Sequence, residues 1–467
     1  MSRAHPYMPN STPELHRELL DAVGAPDVES LFVQIPPEHR LKGTLDLPPA
    51  LPSEVALRRH LLDLLARNET CERNLSFLGG GIWQHHVPAI VDEIARRSEF
   101  LTPVWGTPSS DHGRNQAWFE FASQLGELVG MEFVGLPVYS WGCAEGHAIR
   151  MAARLTGRSQ VLVPRTIGPE RLAVIRTYCG DAELPGHIEL GLVDHDPSTG
   201  AVDLDDLRGK LSQRTAAVLF ESPGYLGTLE TNAAEIAALA RRAGAETIVG
   251  VDPISLGIVA PPSEYGADIV VGSVQPLGVH MSCGGGAGGF IATRDEERYA
   301  REYPTLNLSI AETIAGEVGF GMALFHQTSY GLREEGNDWT GNSVYLHAVA
   351  NAAYMALMGP DGFVEVGRLI VGHSHYAARR LHELDGVCVL FQEGFFKEFV
   401  VSFDGSGKTV AEVNRALRER GIFGGLDLSH DFPELGESAL YCVTEVHTRE
   451  DVDTLVDAVK EVLASPA

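Results

Sequence analysis

Between residues 53 and 330 the chain switches repeatedly between two hydrophobic rhythms. Apolar residues recur at helical spacing over 57–67, 114–129, 145–156, 169–179 and 231–243, and short β-branched runs lie between them at 161–163, 216–220, 247–251 and 268–272. This alternation predicts a mostly parallel sheet with helices on both faces. Open sheets of that kind bind ligands at the carboxyl ends of their strands. Asp252, directly after the run Thr-Ile-Val-Gly-Val, stands at such an end.

The flanks read differently. Thr12 followed by Pro13 is a helix start, and Leu15, Leu19, Leu20 and Val23 continue at helical spacing. Prolines at 48, 49 and 52 then rule out regular helix and predict an extended connector. Beyond residue 340 a helical segment precedes apolar runs at 387–391 and 399–403, a helix at 408–420, a run at 439–444 and a last helix at 449–464. That order describes a compact α+β unit. The predicted division is an arm over 1–60, a large α/β domain over 61–335 and a small α+β domain over 336–467.

Charge narrows the partners. With 63 acidic and 36 basic residues the net charge is −27, which repels nucleic acid and anionic membranes. No apolar run reaches the roughly 18–20 residues that span a bilayer, and the amino terminus lacks the features of a secretory signal, so a cytoplasmic location is expected. Cysteines 71, 143, 179, 283, 388 and 442 are scattered without a Cys-x-x-Cys pair, which argues against a zinc cage or disulfide framework.

Four features could carry chemistry. Glycines cluster at 79–81 and within 283–290, where tight-turn packing is the commoner role and backbone approach to a ligand the alternative; neither matches a P-loop. The stretch 140–148, Ser-Trp-Gly-Cys-Ala-Glu-Gly-His-Ala, opens a helix and could offer the N–H groups of Gly142, Cys143 and Ala144 to an anion, or be a plain N-cap. Asp252 could hold a protonated ring nitrogen or merely cap its loop. The pairs His85/His86 and His373/His375 lack the i, i+4 spacing of a helical metal site, and no metal is expected.

Several longer stretches resemble one family. Phe-Leu-Gly-Gly-Gly-Ile-Trp-Gln-His-His-Val-Pro-Ala-Ile-Val (77–91), Asp-Pro-Ile-Ser-Leu-Gly-Ile-Val-Ala-Pro-Pro (252–262), Tyr-Gly-Ala-Asp-Ile-Val-Val-Gly-Ser-Val-Gln-Pro-Leu-Gly (265–278) and Phe-Gly-Gly-Leu-Asp-Leu (423–428) stand in consistent order, with 411–422 and 442–445 between and beyond them. They are similar to subunit 1, the alpha chain, of two-chain glycine dehydrogenase (decarboxylating), the P-protein of the glycine cleavage system. The resemblance implies a fold-type I pyridoxal phosphate enzyme fold, like aspartate aminotransferase, with a large doubly wound domain and a small α+β domain. It also implies a dimer or higher oligomer with a homologous beta subunit that carries the Schiff-base lysine and cofactor. The substrate would be a small amino acid, glycine in this family, with the aminomethyl group passing to lipoyl H-protein.

The lysines bear on this directly. There are five (Lys42, Lys210, Lys397, Lys408, Lys460) and none between Lys210 and Lys397, where an internal aldimine would need its amine. Gln275 falls at the family's lysine position, so no covalent pyridoxal phosphate is expected on this chain, nor activity alone. Asp252 would partner the pyridine nitrogen only if cofactor were retained, with Gly142, Cys143 and Ala144 near its phosphate. Segments 101–113, 139–148 and 333–341 depart from the family's pattern, and Trp105, Asp111, His112 and Arg114 are candidate contributors to an interface site. The departures leave open a different amino acid substrate, or a non-catalytic regulatory subunit.

Overall fold

The structure is a computed structural model that describes the chain except residues 1–6, 9–10, 44, 101–107, 283–286, 324–331, 334–335, 341–342, 393 and 466–467, with only the backbone described at 108–113 and 323. The chain divides into two units, Met1–Glu69 and Thr70–Ala467. In the first, helix α1 (Pro13–Val23) starts as its sequence dictates: the Leu15 N–H donates to Thr12 Oγ1, and Gly24 ends the helix at φ 72°. Helix α2 (Glu54–Leu65) is capped by Ser53 in the same way. Neither helix buries a residue.

The second unit contains β1 (Leu75–Ser76) and a seven-stranded sheet. The sheet's strands are β2 (Phe133–Val134), β3 (Gln160–Pro164), β4 (Glu189–Val193), β5 (Thr215–Glu221), β6 (Glu246–Val251), β7 (Ile269–Ser273) and β8 (Gly289–Thr293), in the order β2-β8-β7-β6-β5-β3-β4. Strands β7, β6, β5, β3 and β4 run parallel, and β8 is antiparallel to both neighbours. All four apolar runs read from the sequence are strands of this sheet, and the mixed α/β sheet and helices are those of the expected fold class.

Helices α3 (Ala89–Ala95), α4 (Pro108–Val129), α5 (Trp141–Thr156), α6 (Pro169–Cys179), α7 (Leu204–Lys210) and α8 (Ala233–Ala243) surround the sheet. Successive strand residues face opposite sides. Val249, Val251 and Val270 accordingly join Trp118, Phe121 and Ile236 in one core, while Ile248, Ile269 and Leu219 join Ile149, Met151 and Ile175 in another.

An antiparallel ribbon follows, β9 (Asn307–Glu312) with β10 (Val318–Ala323). The helical stretch His347–His382 then breaks at Gly359–Pro360, where Gly359 takes φ 55°. A smaller sheet of β11 (Cys388–Val389), β12 (Glu398–Ser402), β14 (Leu426–Asp427) and β15 (Ser438–Cys442) is ordered β11-β12-β15-β14 and has its own core with the helices Val410–Arg418 and Arg449–Ala464. Strand β1 pairs in parallel with β13 (Ile422–Phe423), and the Gly79 N–H donates to Leu440 O at 3.2 Å. This pairing draws residues 77–86 onto the smaller sheet and positions the site. Glycine is required there: a Cβ on Gly79 would stand 2.7 Å from Leu440 Cγ, and Gly80 holds φ +71°.

Candidate active site

At the carboxyl end of β6 the Asp252 side chain is 3% exposed and uses both oxygens. Oδ1 accepts the Ile254 N–H at 3.1 Å, the loop cap expected of an aspartate here. Oδ2 lies 2.7 Å from Lys397 Nζ. Lys397 immediately precedes β12, where its carbonyl accepts the Val443 N–H. The ion pair therefore joins the seven-stranded sheet to the four-stranded one, and Lys397 is as deeply buried as its partner.

The ammonium has two further neighbours. His85 Nε2 is 3.0 Å away, and the ammonium sits 3.4 Å over the ring of Trp83. An ammonium only donates hydrogen bonds, so this contact needs a lone pair on Nε2 and puts the ring proton on Nδ1. Nδ1 faces Glu445 Oε2 at 2.8 Å, and Glu445 Oε1 accepts the His86 N–H at 2.8 Å. Burial opposes the Glu445 charge, but the hydrogen bonds from His85 Nδ1 and the His86 N–H hold the carboxyl below its ordinary value. The chain Asp252–Lys397–His85–Glu445 is thus closed at both ends by carboxylates.

Next to it Glu398 receives the Gly80 N–H at 2.6 Å. Burial pushes its carboxyl up, against the pull of Lys397 and that N–H. The remaining space around Asp252, Lys397, Trp83 and Tyr225 amounts to about 10 Å³.

The other end of the cleft is wider, a cavity of about 190 Å³ lined by residues including Gly81, Ser140, Gly142, Glu170, Arg171 and Ser273. It lies at the start of α5, where sequence placed an anion cup. Two of the three candidate N–H groups are already engaged: Cys143 N donates to Ser140 Oγ at 3.2 Å, and Ala144 N to Ser140 O at 3.0 Å. Arg171, from α6, stacks 4.4 Å from the Trp141 ring and pairs with Glu221 at 2.6 Å, with Glu145 at 3.9 Å. Burial disfavours the Arg171 charge, yet Glu221 and Glu145 hold it firmly protonated. Burial and the neighbouring Glu221 in turn push Glu145 well up, toward its neutral form.

The structure separates the remaining candidates. Gln275 is 3% exposed, and its amide donates to Val279 O at 3.0 Å within its own turn. Arg114 is 1% exposed and lies 4.8 Å over Trp118, inside a core rather than on the cleft wall. Asp111 and His112 lie on α4 where only the backbone is described, and Trp105 and residues 283–286 of the glycine run lie outside the described residues. Among the described residues no three or more His, Cys, Asp or Glu are grouped to hold a metal ion, and no helix is long and apolar enough to cross a membrane.

Sheet order, helix placement and the strand-end aspartate define the scaffold as that of fold-type I pyridoxal phosphate enzymes. Solved structures agree: a sphingosine-1-phosphate lyase from Burkholderia pseudomallei matches with a TM-score of 0.64 over 90% of this chain and 93% of its own, at 15% identity, which shows the fold alone. The chain belongs to the glycine cleavage system P-protein family, whose model matches residues 5–459. It is 35% identical to a probable glycine dehydrogenase (decarboxylating) subunit 1 from Staphylothermus marinus, covering 98% of each chain, and 35% identical to one from Desulfitobacterium hafniense, covering 98% of this chain and 99% of that one. A crystal structure of glycine decarboxylase (P-protein) in inhibitor-bound form superposes with a TM-score of 0.86 at 33% identity, over 99% of this chain and 100% of that one.

The residues of this cleft do not fit the cofactor of such enzymes. The carboxylate that would meet a pyridine nitrogen is bonded to Lys397, the arginine nearest the α5 terminus is matched by Glu221, and Gln275 has no amine to offer. Sequence reasoning picked out Asp252 and missed Lys397, His85 and Glu445 as its surroundings. His85 stood in a quoted motif, but the contact of Lys397 with Asp252 leaves no local signal.

Proposed function

We propose that this chain is the subunit of a two-chain glycine decarboxylase that does not itself hold the cofactor. Its partner would be a homologous lysine-bearing chain that supplies pyridoxal phosphate, which acts as the electron sink for decarboxylation. The aminomethyl product would pass to lipoyl H-protein. The observation that carries the reading is the ion pair between Asp252 and Lys397: the family's scaffold is kept over nearly the full chain while its cofactor carboxylate is already bonded.

One feature supports an assembly. Leu19, Val23, Leu57, Leu61, Leu62 and Leu65 of the first unit are exposed, an apolar surface suited to cover by another chain. The segment containing Trp105, Asp111 and His112, together with 139–148, is where this chain would contribute to an interface site.

Reconstitution tests the reading. The chain is co-expressed with a homologous lysine-bearing chain, and glycine-dependent release of carbon dioxide is followed with lipoyl H-protein. The expected result is activity from the pair and none from either chain alone. Turnover by this chain alone would defeat the proposal, and a stable pair that decarboxylates another amino acid but not glycine would move the substrate.

A further inference from the structure

We infer that Lys397 is a built-in substitute for a protonated pyridine ring: its ammonium occupies Asp252 and closes this chain's cleft to pyridoxal phosphate. The inference rests on the two-chain reading above, in which the cofactor belongs to the other chain.

In pyridoxal phosphate the ring nitrogen and the carbon bearing the aldehyde are para to one another. A lysine bonded to the nitrogen's carboxylate is therefore at the wrong end of the ring to form the aldimine. Lys397 competes with the cofactor where it could not anchor it.

The competition is built in. The Lys397 ammonium is held by Asp252 at 2.7 Å, by His85 at 3.0 Å and by the Trp83 ring at 3.4 Å, so its donors are directed on three sides. A buried ammonium needs such satisfaction, and a buried carboxylate needs a cation. A pyridinium ring entering here would have to expel Lys397 from all three partners.

The fold also explains why this lysine can be in position. Lys397 is delivered by the smaller sheet and Asp252 by the larger one, so the pair doubles as a joint between them. Trp83 and His85 come from the segment that β1 pins to β13. Three separate parts of the chain thus converge on one ammonium.

The test uses the complete complex with its second chain. Pyridoxal phosphate is counted after saturation, and the complex is reduced with borohydride and mapped by mass spectrometry. The expected count is one cofactor per pair of chains, with the reduced adduct on the second chain and Lys397 unmodified. In parallel, Lys397→Ala is introduced and thermal unfolding is followed with pyridoxal phosphate or propylammonium chloride against a sodium chloride control. Either probe should raise the unfolding temperature of the variant and leave that of the cofactor-saturated wild type unchanged.

Two cofactors per wild-type pair, an adduct on Lys397, or a folded variant stabilised by neither probe would overturn the inference. If the variant does not fold, the wild-type count and mapping still decide. Glycine decarboxylation is measured on the same wild-type sample, so a wrong substrate assignment shows as lost activity with the count unaffected.

Discussion

The two ends of the cleft have the same scaffold and opposite contents. At the β6 end the charged groups and His85 are matched to one another: Asp252 with the Lys397 ammonium, that ammonium with His85, and His85 with Glu445. At the α5 end about 190 Å³ stays open, and Ser140 and Arg171 line it with their own bonds already made inside the protein. Closing one end with a satisfied charge network turns it into a joint between sheets, while the open end keeps the outline of a binding site. Buried ionisable groups bonded to one another can thus serve the scaffold itself.

The comparison breaks most directly at Lys397. Replacing it by Met leaves Asp252 buried without its cation, and removing one partner of a buried pair costs about 3–5 kcal/mol. Asp252→Asn should cost a similar amount, whereas the double replacement should cost clearly less than the sum. Urea unfolding of the three variants measures this, and strictly additive losses would mean that the pair is not the joint described.

Arg171→Met comes next, at about 2–3 kcal/mol, because Glu221 loses its 2.6 Å partner and Trp141 its stacked cation. Glu145→Gln should change stability by less than about 1 kcal/mol, since Glu145 is already held toward its neutral form and the amide is nearly isosteric. A loss from Glu145→Gln as large as that from Arg171→Met would show that Glu145 is ionised beside the arginine.

Much of the scaffold was legible and most of the filling was not. Apolar runs such as Ala-Ala-Val-Leu-Phe (216–220) and Thr-Ile-Val-Gly-Val declared buried strands because continuous β-branched and aromatic residues are compatible with little else between turn signals. The ribbon over 307–323 went unread although its alternation is visible: Leu308 and Ile310 on one strand meet Met322 and Phe320 on the other. The antiparallel strand β8 was missed for a different reason, since strand direction in a mixed sheet is set by connections rather than by pattern.

Asp252 could be named from its place after a strand, but not its occupant. Lys397 reads locally as the residue before an apolar run, and its role comes from the packing of two sheets. The five lysines directed attention to Gln275, and the same scarcity concealed that one of the five is inside the cleft.

Acid titration sharpens the account of the closed end. Glu445 is held below its ordinary value of 4.5, so it contributes stability that is fully present above about pH 4.5 and is lost as pH falls below it. Glu398, pushed upward by burial, acts in the opposite sense and costs stability as pH rises through its ordinary range. Glu445→Gln should therefore flatten the decline of unfolding free energy below about pH 4.5, measured by denaturant titration at each pH. An unchanged slope would mean that His85 and the His86 N–H do not hold this carboxylate.

The smallest effect belongs to the open end. Ser140→Ala removes the side-chain acceptor for Cys143 N, an N-cap worth about 1 kcal/mol. Because Ser140 shares no partner with Lys397 or Asp252, this loss should add to that of Lys397→Met within about 0.5 kcal/mol. Unfolding free energies of the single and double variants decide the matter. Additivity would leave the two ends as independent structures on one frame; a coupling well above that margin would show that the helix start and the buried ion pair respond to each other across the cleft.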